Sequence, residues 1–208
     1  MRSHRVDTIK DFLSPQSQYW SRVQPTQVMM VPTPIAMQPT AYVRNTWADR
    51  KYGETTSIDV ASVHDGATWA VLVQWSSAVA HGPTEFADAL AVALPVSRNA
   101  VLALMGSPEA PIHYLWWNAR QTSPQSLLAT GIGASAPGPD VRQTAQASAD
   151  GPTWRIVISR AVGTGPNAAP LEVGATTGVG FAAWRGSNDE RAGIKAFSVD
   201  WTELVLDA

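Results

Sequence analysis

Two Asp-Gly pairs, Asp65-Gly66 and Asp150-Gly151, each sit between two runs of strand-like composition. Such a pair favours a two-residue hairpin, because both turn positions need a positive φ that aspartate tolerates and glycine adopts freely. Ser57 to Val63 leads into the first turn, and after it Trp69, Val71, Val73 and Trp75 fall on one face. Val141 to Ala149 leads into the second, and the return run Trp154 to Val162 puts Trp154, Ile156, Ile158 and Arg160 on a shared face. Nowhere does a 3.6-residue period persist for three turns. Short strands with turn signals at close intervals predict an all-β chain, an antiparallel β-sandwich with long loops and little helix.

At 208 residues the chain is most simply divided into an extended N-terminal segment, 1–40, packing on a partner or on the domain, and a single sandwich domain, 41–208. The first segment has room for a helical piece around Val6 to Leu13, and then a proline- and methionine-rich stretch with Met29, Met30 and Met37. From Ala41 onward, Tyr42, Arg44 and Thr46 alternate with Val43, Asn45 and Trp47, as in a strand. Ala89 to Leu94 is a wholly apolar strand closed by Pro95, and Gly178 to Trp184 and Lys195 to Leu206 form the last strands. Residues 120–140 and 163–176, rich in Ser, Gly, Pro and Ala, read as loops, and Asp189, Glu190 and Arg191 as a solvated turn.

Charged residues make up only 15% of the chain, against about 25% in an average domain, while nine tryptophans are present. A surface so poor in charge predicts a lasting partner subunit. The net charge of −2 without a basic run argues against nucleic acid. The absence of cysteine excludes disulfides, a thiolate nucleophile, iron–sulfur ligation and covalent c-type haem. The N-terminus has no apolar core of the signal-peptide kind, and no stretch approaches the 18 apolar residues of a membrane span. His4, His64, His81 and His113 show no metal-ligand spacing. Gly131-Ile132-Gly133 lacks the strand and helix of a dinucleotide loop, and there is neither a nucleophile elbow nor a P-loop. No catalytic site is expected.

The most informative stretch is Val101 to Ala119. An apolar run, Val101 to Leu104, reaches Met105; Gly106, Pro108 and Pro111 then forbid regular structure before the apolar-aromatic run Ile112 to Trp117. From these residues alone Met105 reads as a core gap-filler beside a rigid loop. The segment MGSPEAPIHYLWWNA, however, resembles the M-G-x-P-x-x-P segment and aromatic strand of the haem-binding gamma subunits of ethylbenzene-dehydrogenase-type molybdoenzymes, in the dimethyl-sulfoxide-reductase family. FADALAVALP before it, and WRIVISRAV and GFAAWRGSNDERAGIKAFSVDWTELVL after it, agree in order.

That resemblance implies a β-sandwich holding haem b between methionine and lysine axial ligands. Met105 matches the methionine. Of Lys10, Lys51 and Lys195, only Lys195 lies in a matching block. A lysine ligand must bind as the neutral amine, which costs about 4–5 kcal/mol near pH 7 from an ordinary pKa. Lys195 would otherwise cap its strand, and His113 and His81 are the fallback second ligands. Phe86, Trp116 and Trp154 are the expected ring contacts, with Arg160 meeting a propionate. The resemblance further implies a non-catalytic electron-transfer subunit between an iron–sulfur beta subunit and an acceptor such as cytochrome c. The molybdenum cofactor would belong to an alpha subunit. The expected site is the periplasm, reached with a partner's signal, with the cytoplasm as the alternative. The rival expectation is a non-catalytic carbohydrate-binding-like module, with Trp116 or Trp117 as a sugar platform.

Overall fold

The computed structural model describes residues 1–77 and 86–208. The chain begins with β1 (Arg2–Arg5), β2 (Thr26–Met29) and β3 (Val31–Pro32), followed by the helix α1 (Ala41–Trp47). The first hairpin is β4 (Ser57–His64) and β5 (Thr68–Ser76), and β6 (Ala89–Pro95) pairs with β7 (Ile112–Asn118). Next come β8 (Gln125–Gly131), β9 (Ala134–Pro137) and the second hairpin, β10 (Thr144–Asp150) with β11 (Thr153–Ala161). The chain closes with β12 (Gly163–Gly165), β13 (Ala168–Leu171), β14 (Thr176–Trp184), β15 (Ala196–Phe197) and β16 (Thr202–Leu206).

The main path of pairing runs β10-β11-β5-β4-β1-β16-β14-β6-β7-β8-β9. This ribbon folds over on itself. One layer, β10-β11-β5-β4, and the other, β14-β6-β7-β8-β9, face each other, with β1 and β16 linking them. Alternate residues of each layer point inward: Trp69, Val71, Val73, Ile156 and Ile158 meet Leu90, Val92, Leu94, Leu115 and Phe181 in one buried cluster. The fold is the predicted mostly antiparallel β-sandwich. An exception is β1, which runs parallel to both β4 and β16.

Several local expectations change. Ala41–Trp47 is a helix, because Thr40 caps it: its Oγ1 accepts from the Val43 N–H at 3.3 Å. The alternation there has no sheet partner to make it a strand. Val101 to Leu104 yields a single 3₁₀ turn, Leu102–Leu104, closed by Met105 and Gly106 in left-handed conformation. Residues 120–140 hold β8 and β9, and 163–176 hold the β12–β13 hairpin. An edge strand exposed on every residue, as β9 is, needs no apolar alternation and so leaves no sequence signature. The solvated-turn reading fails at Glu190, which is only 1% exposed. Its carboxylate accepts from the N–H groups of Gly53 (2.8 Å) and Arg185 (2.9 Å) and from Asn188 Nδ2 (3.1 Å).

Within residues 1–40, β1, β2 and β3 are hydrogen-bonded into the sheets. Besides these strand pairings, Ile9, Phe12, Trp20 and Val23 cover Ala61, Val63, Ala70, Leu72 and Val157 on the outer face of the first layer. Among the described residues no helix is long and apolar enough to cross a membrane.

Candidate functional site

The outer face of the second layer carries a cleft of about 980 Å³. Its floor is set by the strand period: Leu90, Val92 and Leu94 of β6 go to the core, so Ala89, Ala91 and Ala93 face out, joined by Ala182 of β14. Small side chains leave depth, and aromatic ones border it. Tyr114 and Trp116 of β7, Trp184 of β14 and Phe197 of β15 stand along the sides. The opposite wall is α1 and its flanks, including Tyr42, Val43 and Trp47. Gln38 ties that wall to the loop before β15: its Nε2 donates to the Gly193 carbonyl at 3.0 Å. A Cβ at Gly193 would meet Gln38 Oε1 at 1.9 Å, so only glycine permits this clasp.

Met105 and Lys195 both line this cleft. Met105 sits at φ 57° and ψ 34°, where a bulky residue rarely stays without cost. Two backbone bonds hold it there, Met105 N–H to Leu102 O at 2.9 Å and Gly106 N–H to Val101 O at 3.1 Å. The turn is docked on β14 through Leu102, whose side chain occupies the space a Cβ on Gly180 would need.

Lys195 lies beside the C-terminal end of β14. It precedes Ala196, whose register partner is Ala183. Its ammonium nitrogen lies 5.5 Å from the centre of the Trp184 ring. Nζ donates only a long bond, 3.4 Å, to the Ala192 carbonyl, which already accepts from Trp184 Nε1 at 3.0 Å. Among the described residues it has no carboxylate partner. Burial pulls its pKa from 10.5 down to about 8, so the neutral amine is within easy reach at physiological pH. Trp184 and Gly180 are four residues apart on β14, roughly 13 Å at the ordinary strand rise. A thioether and a depressed-pKa amine thus enter from the two ends of an apolar, flat-floored cleft.

Phe86 and Trp116 also line the cleft, and Arg191 stacks over the Phe86 ring at 4.3 Å. Trp154 and Arg160 do not reach it. Both point into the sandwich, because the inward face of β11 carries them. Trp154 packs edge-on against Trp117 at 5.5 Å and donates from Nε1 to Asp88 at 2.8 Å. Arg160 is 2% exposed, and its Nε donates to the Ala161 carbonyl at 3.1 Å.

His113 is on the core face of β7, fully buried, with both ring nitrogens engaged. The Ala169 N–H donates to Nδ1 at 3.4 Å, which leaves Nε2 to donate to Ser126 Oγ at 2.8 Å. Burial, and then the nearby Arg160 charge, lower its pKa to about 4, so it is neutral. His81 lies outside the described residues. Sequence reasoning overlooked the alanine floor, although alanine at every second position of ALAVALP was its signal. It also overlooked the wall from Gln38 to Arg50, which no local pattern marks.

No family model matches the chain. The chain is 31% identical over 205 residues to the chlorate reductase gamma subunit of Ideonella dechloratans, an alignment covering 93% of this chain and 80% of that protein. It belongs to the family of that gamma subunit. A Haloferax mediterranei protein named for the heme subunit of a respiratory nitrate reductase is 29% identical over 196 residues, or 90% of this chain and 66% of that one. Among solved structures, a carbohydrate binding module of family 9 from Caldicellulosiruptor kristjanssonii in complex with glucose superposes with a TM-score of 0.58 at 9% identity, covering 100% of this chain and 95% of that one. The same module with cellotriose gives a TM-score of 0.57 at 9% identity, covering 100% and 93%. These two define the fold of this gamma-subunit relative as that of the module. At such low identity they carry no ligand with them.

Proposed function

We propose that this chain holds a b-type haem in the alanine-floored cleft, with Met105 and Lys195 as the residues that would bind its iron. It serves as the electron-transfer subunit of a multi-subunit molybdenum-dependent reductase or dehydrogenase. The observation that carries this reading is the convergence of Met105 and Lys195 on one apolar cleft, in a chain related to reductase gamma and heme subunits. The residues present fit the group. A porphyrin needs an apolar slot, which a lining of alanines and aromatic side chains supplies, and iron needs at most two donors from the walls. With no cysteine in the chain, attachment is non-covalent.

Bound there, haem supplies one-electron chemistry, and a thioether ligand raises its potential. The protein's part is to hold the thioether in place through the strained turn, to keep Lys195 poorly solvated so that its nitrogen lone pair is available, and to exclude water with Trp116, Trp184 and the α1 wall. The molybdenum cofactor and iron–sulfur clusters would belong to alpha and beta partner subunits, with a cytochrome c-type carrier outside. The periplasm is the proposed site, reached with a partner.

The test is optical. Haem added to the purified chain should give a low-spin spectrum with a sharp Soret band, and acid acetone should leave the polypeptide colourless. Met105→Ala should turn the haem partly high-spin and lower its potential, and Lys195→Ala should change the low-spin spectrum with a smaller shift in potential. If neither substitution alters the spectrum, the ligand assignment is wrong. A chain that takes up no haem but binds glucose oligomers through Trp116 would support the carbohydrate-binding alternative.

A further inference from the structure

The cleft is more positive than the chain that contains it. The chain has a net charge of −2, yet among the described residues Arg50, Arg120, Arg191 and Lys195 line the cleft against Asp189 and Glu190. Glu190 is unavailable to a ligand, since its two oxygens already accept three bonds, from Gly53, Arg185 and Asn188. Among the described residues Asp189 is therefore the one accessible acid lining the cleft, and two guanidinium groups converge on it. Arg50 Nη2 lies 3.3 Å from Asp189 Oδ2, and Arg191 Nη1 donates a long bond of 3.4 Å to the Asp189 backbone carbonyl.

Both arginines are held by aromatic faces. Arg50 stacks over Trp47 at 4.1 Å and Arg191 over Phe86 at 4.3 Å. Stacking fixes a planar guanidinium while leaving its N–H edges directed outward, the arrangement that takes a carboxylate in two parallel bonds. The two walls that carry them are tied together, because Asn188 Nδ2 donates to the Lys51 carbonyl at 3.0 Å. The clamp is in place before any ligand arrives.

We infer that Arg50 and Arg191 form a carboxylate clamp at the mouth of the cleft, which binds the propionate edge of the porphyrin and so fixes which edge of the ring faces outward. This inference rests on the haem reading above. It puts the propionate partners on α1 and the 186–191 turn, in place of Arg160.

The experiment titrates the full-length chain with haem and with haem whose two propionates are methyl esters, following the Soret band and the quenching of tryptophan fluorescence. Wild type should bind the free acid at least about tenfold more tightly than the ester, the discrimination expected of charge-assisted bonds. The double variant Arg50→Gln/Arg191→Gln should lose that preference while binding the ester as wild type does, with the melting curve of the ligand-free chain showing that it folds. Asp189→Asn, which removes the competing carboxylate, should bind the free acid several-fold more tightly. Wild type that takes up acid and ester equally well overturns the clamp and leaves the haem reading standing. Wild type that takes up neither overturns both. A double variant that keeps the full preference overturns the clamp.

Discussion

The outer faces of the two layers begin from comparable strands and are finished differently. On the β11-β5-β4 layer, Ala61, Val63, Ala70, Leu72 and Val157 are covered by the chain's own Ile9, Phe12, Trp20 and Val23, with Phe12 and Trp20 edge-on at 5.1 Å. On the β14-β6-β7 layer, Ala89, Ala91, Ala93 and Ala182 form a floor, and the covering segments stand back to leave a cleft of about 980 Å³. The first face is filled by anchored aromatics: Trp20 Nε1 donates to the carbonyls of Phe12 and Ser14, both at 3.1 Å. The aromatics of the second, Tyr114, Trp116, Trp184 and Phe197, pack against those alanines and line the space above. An apolar outer face is therefore sealed where the chain supplies the complement and left as a cleft where it does not.

The sharpest way to break the comparison is to empty the filled face. Trp20→Ala removes a residue that is 3% exposed, together with two hydrogen bonds. It should cost about 3–5 kcal/mol of unfolding free energy, measured by denaturant titration. A loss below about 1 kcal/mol would mean that this face, too, is loosely covered.

On the open face the largest effect should come from pH acting through Lys195. In the unfolded chain the ammonium keeps its proton up to about pH 10.5, whereas in the ligand-free fold it gives it up near 8. Between those values the unfolded state binds more protons, so stability rises with pH; the penalty for burying the charge is complete below about 8 and absent above about 10.5. The wild-type curve of stability against pH should climb by up to about 3 kcal/mol more across that window than the curve of Lys195→Met. Parallel curves would show that the lysine is solvated in the absence of ligand.

The two faces were not equally legible in the sequence. The inward faces of β5 and β11 were readable because their partners are residues of the same alternation, Trp69 to Trp75 against Trp154 to Arg160. The Met105 turn was legible through its Gly-Pro punctuation, whereas Lys195 was singled out only by the resemblance, as the one lysine in a matching block. The 3₁₀ turn at Leu102–Leu104 was not, since only its docking on Gly180 distinguishes it from a strand end. Trp154 and Arg160, expected beside a haem, lie on the inward face of β11 and away from the cleft. Alternation shows that two residues share a face, and cannot show which of two buried faces it is. The helix Ala41–Trp47 depends on the Thr40 cap and on the clasp of Gln38 to Gly193, a contact across 155 residues.

Filling the cleft turns the open face into a copy of the filled one. Ala91→Phe places a ring on the floor, where Ala91 is 2% exposed. It should cost about 1–3 kcal/mol if neighbours must shift, and less if the cleft accepts the ring without strain. Haem uptake, followed at the Soret band, should be lost in either case. A variant that still takes up haem with an unchanged spectrum would place the ligand elsewhere on the molecule.

The smallest effect on stability, and the most diagnostic, belongs to Met105→Gly. The methionine sits at φ 57°, a conformation that costs a non-glycine residue about 1–3 kcal/mol and costs glycine nothing. Glycine also gains freedom in the unfolded chain, which offsets about 0.5–1 kcal/mol of that relief. The ligand-free variant should therefore unfold within about 1 kcal/mol of wild type, on the stable side, since the backbone bonds to Leu102 and Val101 do not involve the side chain. Its haem complex should nevertheless lose low-spin character and bind more weakly. Stability kept while the spectrum changes marks strain retained for a ligand. A fall of 2 kcal/mol or more in the ligand-free variant would instead make Met105 a packing residue, and the open face would then differ from the filled one only in how much of it is covered.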